Sequence, residues 1–326
     1  MTRVVTADQL GPPSIYRLAE RPAPLVPAVD QVLIAMRAVS FGYADALVAA
    51  GNYQVTPQLP FIPGTEGSGV IAAVGSGVEG YAEGDEVIVS RFGDVLAEHV
   101  LARPAELRRK PAGLTFAEAA CFPSNHATVL YALRDRAGIR PGETLLVLGA
   151  AGGVGTAAIQ VGKKLGARVI AGASSAAKRA FAQKLGADEV LDYSAEGWRE
   201  PLRQLTGGRG VDVVLDPVGG DLFEPAFRSL AWGGRHLVIG FAGGPIPRLP
   251  ANLPLLKGAA LVGVDIRQFH EREPEAAARN NAELMAWAEE GMHPPVGTTF
   301  AFEDFEAAMV EAGSGHSVGK VVIEVA

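Results

Sequence analysis

Between about residues 144 and 265 the chain alternates short, nearly continuous apolar runs with stretches of helical periodicity. "TLLVLGA", "ARVIAGA", "DEVLDY", "VDVVLDP", "RHLVIGFA" and "AALVGVDI" read as near-continuous Val/Ile/Leu runs. That pattern predicts parallel strands covered on both sides, since a strand with one wet face would alternate. The intervening "GVGTAAIQVGKKLG", "SAAKRAFAQKLG", "GWREPLRQLTG" and "GGDLFEPAFRSLAWGG" are of helical length, several closing on a glycine suited to a C-cap. The pattern predicts a doubly wound α/β domain of about six strands.

Residues 1 to about 120 read differently. "QVLIAMRAVS", "GSGVIAAVG" and "DEVIVSRFGDVLAEHVLA" are β-prone and separated by Pro and Gly turns, predicting a mostly β domain. At the other end, "PEAAARNNAELMAWAEEG" and "FEDFEAAMVEAGSG" predict two helices and "GKVVIEVA" a last strand. A lone strand needs a partner, and the β-rich domain is the expected host. The predicted organisation is residues 1–120 and 267–326 as one domain and 121–266 as the nucleotide-binding one.

Composition narrows the partners. A chain of 326 residues, 48% hydrophobic and 20% charged, is long enough for two cores. A net charge of −7 without a basic block argues against nucleic acid or an anionic membrane as the main partner. No secretory leader pattern and no run approaching 18 apolar residues is present, so a cytoplasmic protein is expected. The single cysteine, Cys121, rules out an internal disulfide and a multi-cysteine zinc lobe. It is expected as a small buried apolar residue.

Candidate chemistry begins at "LGAAGGVGTAAIQ", Leu148 to Gln160, where Ala150, Gly152 and Gly155 form AxGxxG. Between a strand and a helix, this motif marks a dinucleotide turn of the Rossmann type. Gly152 lets the backbone approach a pyrophosphate, Gly155 lets helix and strand pack closely, and the backbone of Ala151, Gly153 and Val154 is expected to line the phosphates. An NAD site carries Asp or Glu about 20 residues on. Here Ala173, Ser174 and Ser175 stand there, with Lys178 one turn later. Hydroxyl and ammonium suit a 2′-phosphate. Charge-assisted hydrogen bonds of about 1.5–3 kcal/mol each make NADPH the expected cofactor by about a hundredfold. The competing reading has the serines as an N-cap and Lys178 solvated.

"PGETLLVLGAAGGVGTAAIQVGKKLGARVIAGASSAAKRAFAQKLGADEVLDY", "LPFIPGTEGSGVIAAVGSGV" and "GKVVIEV" together resemble the zinc-free quinone oxidoreductase (zeta-crystallin-like) branch of the medium-chain dehydrogenase/reductase superfamily. The resemblance spans essentially the whole chain and implies a GroES-like catalytic domain beside the Rossmann domain. Zinc-dependent members place ligands at positions that here hold Gly42, Thr65 and, by spacing from Cys121, Ser124. Losing the first two leaves no catalytic metal site, so no metal is expected. The implied substrate is a quinone or an α,β-unsaturated carbonyl, which delocalises the arriving charge without a metal.

The resemblance also implies site residues. Tyr53 in "AAGNYQVTPQLP" matches a tyrosine of quinone reductases and of enoyl-thioester reductases that share "GNY", and is the leading candidate proton or hydrogen-bond donor. Gly42 departs from an asparagine common in zinc-free relatives. With Tyr43 and Arg267 it is assigned to the substrate pocket, and Asp45 to catalysis or to a structural hydrogen bond. In "CFPSNHATVLYAL", Thr128 matches a threonine near the nicotinamide, and Asn125 and His126 are further catalytic candidates. Tyr193, Val218, Gly240, Phe241, Ala242 and Lys320 are carried over as cofactor contacts, and the edge strand near Ala260–Asp265 as a homodimer contact. Two alternatives stay open: a 2-enoyl-thioester reductase, and a non-catalytic NADPH-binding structural or RNA-binding protein.

Overall fold

Pro and Gly punctuation divides the first 110 positions of this computed structural model, which describes residues 1–23 and 25–325, into short strands. These are β1 (Thr2–Thr6), β2 (Arg17–Arg21), β3 (Val32–Phe41), β4 (Glu66–Val74), β5 (Glu86–Ser90), β6 (His99–Ala102) and β7 (Leu107–Arg109), with helix α1 (Tyr43–Ala49) between β3 and β4. β3 pairs with β4 on one edge. Its other edge is shared by β6 along Val32–Ala35 and by the last strand, β15 (Lys320–Glu324), along Ala38–Phe41. The terminal strand thus finds the host its apolar pattern demands. β15 is flanked in turn by β14 (Val296–Ala301), and helix α11 (Phe305–Gly313) buries Phe305, Ala308, Met309 and Ala312 in the core of β3 and β15. That spacing is one helical face.

Helices α2 (Phe116–Cys121) and α3 (Pro123–Leu130) lead into the second unit, α3 widening into a π-helical turn at Tyr131–Arg136. There β8 (Thr144–Val147), β9 (Arg168–Gly172), β10 (Glu189–Leu191), β11 (Val211–Asp216), β12 (Leu230–Val238) and β13 (Ala260–Gly263) form one sheet in the order β10-β9-β8-β11-β12-β13. Every pairing in it is parallel. Helices α4 (Gly153–Lys164), α5 (Ala176–Lys184), α6 (Arg199–Leu205), α7 (Phe223–Arg228) and α8 (Asn252–Lys257) connect the strands. The strand order reverses between β8 and β11, and ligands of such sheets bind at the carboxyl ends there.

The compact units are residues 1–124 with 285–326, and residues 125–284. The return crossing therefore falls later than the predicted residue 267. Helix α9 (Ile266–Arg272) and most of α10 (Pro274–Glu289) pack with the nucleotide unit. Phe269 of α9 stacks on Tyr131 with ring centroids 4.0 Å apart, and Asp135 accepts from the Asn280 amide of α10 at 2.7 Å. Helical periodicity shows which face is apolar but not which sheet it meets. Among the described residues no helix is long and apolar enough to cross a membrane.

Candidate active site

β8 delivers the chain into the glycine turn, where Gly149 takes a left-handed φ of +60° and its carbonyl accepts the Gly152 N–H at 3.0 Å. The three following glycines meet different constraints. A Cβ on Gly155 would lie 2.2 Å from the Gly149 carbonyl oxygen and 2.6 Å from Ala150 Cα, so helix α4 sits against the turn at glycine distance. A Cβ on Gly153 would lie 2.5 Å from Asn125 Nδ2. On Gly152 it would meet nothing nearer than 3.5 Å, leaving that backbone open to a ligand. Ala150 is fully buried and has no positive φ, which is why alanine substitutes there without strain.

At the end of β9, Ala173 is buried while Ser174 and Ser175 are exposed. Ser175 caps α5, its hydroxyl accepting the Lys178 N–H at 3.2 Å, as the N-cap reading expects. Ser174 and Lys178 remain as side chains for a phosphate. Tyr193 stands beside them: burial raises its phenol above the ordinary value and a hydrogen bond with the Ser174 side chain opposes the rise. Arg179 was missed by the sequence reading. It donates to the Ala173 carbonyl at 3.2 Å and pairs with Asp192 at 2.8 Å. Its place next to Lys178 in the first turn of α5 is the signal that could have found it.

The ends of β11 and β12 are tied together. Asp216, buried at 1% exposure, accepts the N–H groups of Val218 and Gly219 at 2.8 Å each through Oδ1. Its Oδ2 meets His236 Nε2 at 3.0 Å, and the imidazole sits 4.5 Å from the Phe223 ring. The Ala242 N–H is spent on the Pro217 carbonyl at 3.1 Å and the Gly240 N–H on Asp216 at 3.4 Å. Among the described residues the Phe241 N–H makes no such bond, so of the three it is the one left for a carboxamide. Asp216 and His236 also escaped the sequence reading, because a buried polar pair inside apolar strands has no spacing signature.

The first unit supplies a second constellation. Gly42 precedes α1, and Asp45, 4% exposed, accepts the Gly42 N–H and the Thr65 hydroxyl at 2.8 Å each. This is the structural alternative foreseen for Asp45. Glu66 is fully buried, its Oε1 accepting from Ser40 Oγ at 3.3 Å and its Oε2 from the Ser124 N–H at 2.9 Å. Its ion-pair partner is Lys320, whose ammonium burial pushes down to about 8 while Asp45 opposes the shift. Lys320 was expected to reach a cofactor phosphate. Instead its ammonium is held inside this unit, because a fully buried carboxylate there requires a cation. A Cβ on Gly42 would stand 3.3 Å from Lys320 Cε, so the missing side chain is partly replaced by the lysine stem.

Other candidates land where their neighbours decide their role. Tyr53 is half-buried, with its ring 6.4 Å from that of Phe92, and Tyr43 opens α1. His126, one of the catalytic candidates, is 1% exposed and meets Gln160 Oε1 at 3.0 Å. It links α3 to α4. Asn125 packs on Gly153, and Thr128 follows one turn along α3. Arg267, expected at the substrate mouth, is exposed on α9 and pairs with Glu271 at 2.8 Å. Cys121 is buried, and burial pushes its thiol up. Among the described residues no group of three His, Cys, Asp or Glu side chains is placed to hold a metal ion.

Comparison with known proteins agrees with this architecture. Residues 28–132 match the alcohol dehydrogenase GroES-like domain family and residues 153–282 the zinc-binding dehydrogenase family. Quinone oxidoreductase-like protein 2 of Bos taurus is 37% identical over 304 residues, covering 93% of this chain and 86% of the relative. The structure of an NAD-dependent alcohol dehydrogenase superposes with a TM-score of 0.90 at 32% identity, over 99% of this chain and 100% of that one. Quinone oxidoreductase of Escherichia coli, complexed with NADPH, superposes with a TM-score of 0.89 at 27% identity over 100% of both chains. The chain belongs to the medium-chain dehydrogenase/reductase superfamily, on its quinone oxidoreductase branch, and is an oxidoreductase that uses a nicotinamide cofactor.

Proposed function

We propose that the protein is an NADPH-dependent reductase that delivers hydride to a quinone or an α,β-unsaturated carbonyl without zinc, in the cytoplasm. The donor set carries the reading. Gly42 has no side chain, the Thr65 hydroxyl is spent on Asp45, and both Glu66 oxygens are occupied by Lys320, Ser40 and the Ser124 N–H. These residues do not fit a catalytic zinc, which needs about three protein ligands with an open position. A substrate that spreads the incoming charge over a conjugated oxygen suits such a site.

NADPH, when bound, supplies the hydride. The open backbone at Gly152 and the start of α4 receive its pyrophosphate. Ser174 and Lys178 hold the 2′-phosphate, with Arg179 released from Asp192 to join them. The Asp216–His236 pair keeps the Val218–Gly219 turn in place, and the Phe241 N–H orients the carboxamide. Thr128 adds a hydroxyl near the nicotinamide. On the substrate side Tyr53 donates a hydrogen bond to the oxygen that gains charge and then a proton, and Gly42 and Tyr43 shape the pocket. β13, whose residues are largely exposed at the sheet edge, pairs with its copy in a homodimer.

The test is NADPH oxidation with 1,2-naphthoquinone, 2-cyclohexenone and crotonyl-CoA, repeated with NADH. Turnover of the first two, at least about tenfold higher kcat/KM with NADPH, and more than a threefold kcat loss in Tyr53→Phe are expected. Dominant crotonyl-CoA turnover would instead identify a thioester reductase. Cofactor binding with no turnover across the panel would identify a non-catalytic protein.

A further inference from the structure

On the nucleotide unit, at the amino ends of β11 and β12, lies a pocket of about 590 Å³. Five cations line it, Arg199, Arg203, Arg209, Arg228 and Lys257, against the single carboxylate of Glu200. Three of the five are neutralised: Arg203 by Glu200, Arg209 by Asp212 and Arg228 by Glu224, at 2.6 to 2.7 Å. Arg199 and Lys257 have no carboxylate partner among the described residues. The Arg199 guanidinium donates Nε to Ser229 Oγ and one terminal nitrogen to the Arg228 carbonyl, both at 3.2 Å. Its other terminal nitrogen makes no hydrogen bond among the described residues. Lys257 donates to the Leu230 carbonyl at 2.7 Å. Burial, and after it the Arg199 and Arg228 charges, pushes this ammonium below the ordinary lysine value.

The chain as a whole is acidic, so a pocket with this excess of cations is a local departure that surface composition does not account for. Its volume falls in the range of small-molecule sites. Its floor is apolar, with Trp198, Leu202 and Leu230 all buried. A guanidinium fork and an ammonium can together engage several oxygens of one phosphoryl group, and the titration below sets this against a carboxylate ligand.

We propose that this pocket is a second ligand site, separate from the cofactor turn, which binds a small organic phosphate: its phosphoryl group between Arg199 and Lys257 and its carbon body against Trp198 and Leu202. The site is remote from the cofactor end of the same strands. β11 runs from Val211 beside the pocket to Asp216, which holds the Val218–Gly219 turn, roughly 17 Å away at about 3.3 Å per residue. Occupancy of the two sites is therefore compatible, and the proposal does not depend on which substrate the enzyme reduces.

Calorimetric titration of phenyl phosphate, inorganic phosphate and citrate into the NADPH-saturated protein tests it, saturation keeping the probes off the glycine turn. Phenyl phosphate is expected to bind one per chain and more tightly than either other probe. Arg199→Gln with Lys257→Gln should weaken it at least about tenfold, as expected for two lost charge-assisted contacts. Lys184→Gln, an exposed lysine on α5, should leave it unchanged. Because Lys257 also bonds the Leu230 carbonyl, Arg199→Gln alone, melting like the wild type, serves as the second variant and should weaken binding by itself. The proposal is overturned by no binding to the wild type, by equal binding to Arg199→Gln, by citrate matching phenyl phosphate, or by inorganic phosphate matching it.

Discussion

The glycine turn makes a prediction in which two neighbouring substitutions separate stability from cofactor binding. In Gly155→Ala the new methyl carbon would start 2.2 Å from the Gly149 carbonyl oxygen, with Ala150 Cα at 2.6 Å. Both obstacles are main chain, so no rotamer change relieves them, and α4 must move away from β8 by about 1 Å to restore contact distance. Overpacking of this kind costs about 1–3 kcal/mol, and the gain in helix propensity from Gly to Ala returns up to about 1 kcal/mol. Because both obstacles are main chain, the cost lies in the upper half of that range, about 2–3 kcal/mol, and the net loss of about 1–2 kcal/mol corresponds to a Tm lower by roughly 2–8 °C. Gly152→Ala is the opposite case. Its φ of −79° and ψ of 173° suit any residue, and its Cβ meets only the Gly149 oxygen at 3.5 Å, ordinary contact. The ligand-free Tm should stay within about 1 °C of wild type, the range of substitutions that disturb no contact. NADPH should bind about 10- to 100-fold more weakly, because the methyl group holds the pyrophosphate off the amides and each charge-assisted bond is worth about 1.5–3 kcal/mol. Calorimetric melting and fluorescence titration of the two variants read both numbers. An unchanged Tm in Gly155→Ala, or wild-type NADPH affinity in Gly152→Ala, would refute the assignment of those roles.

Three further outcomes are expected. Lys320→Met leaves the Glu66 carboxylate buried without its cation, and should cost about 3–5 kcal/mol in denaturant unfolding, while Lys320→Met with Glu66→Leu should recover most of it; an additive double mutant would show that the pair is not coupled. Cys121 should resist iodoacetamide in the native protein near neutral pH and react fully in denaturant, because burial keeps the thiol protonated and enclosed. Lys178→Gln should lower kcat/KM for NADPH about tenfold and leave NADH within about twofold, reflecting one lost charge-assisted contact; equal losses for both cofactors would place Lys178 away from the 2′-phosphate.

What could be read from the sequence follows from what leaves a periodic trace. The inner strands β8, β9 and β11 are nearly continuous apolar runs because both faces are covered, and "GKVVIEVA" needed a host sheet because one strand is not stable alone. The glycine turn was legible because Gly155 answers to a local clash, and local constraints sit next to each other in the chain. The Glu66–Lys320 and Asp216–His236 pairs were not legible. Their members are 254 and 20 residues apart by numbering (320 − 66 and 236 − 216), and each lies in a strand rich in apolar positions. Lys320 was expected at a cofactor phosphate because the resemblance offers its position but not its partner, whereas here it is buried against Glu66. The late return from the nucleotide unit was missed for a similar reason, since α9 and α10 look alike whichever sheet receives them.

The pairing of β15 with β3 bears on the order in which the chain matures. A ribosome releases the nucleotide unit's sequence, through residue 284, before Lys320–Glu324 has been made. Domains fold largely as units during synthesis, so the inserted unit is the first to finish although it begins second. Until the last strand emerges, β3 offers an unclosed edge along Ala38–Phe41 and Glu66 has no counter-charge. Closure of the sheet around β3 therefore waits on a strand made only after the whole nucleotide unit.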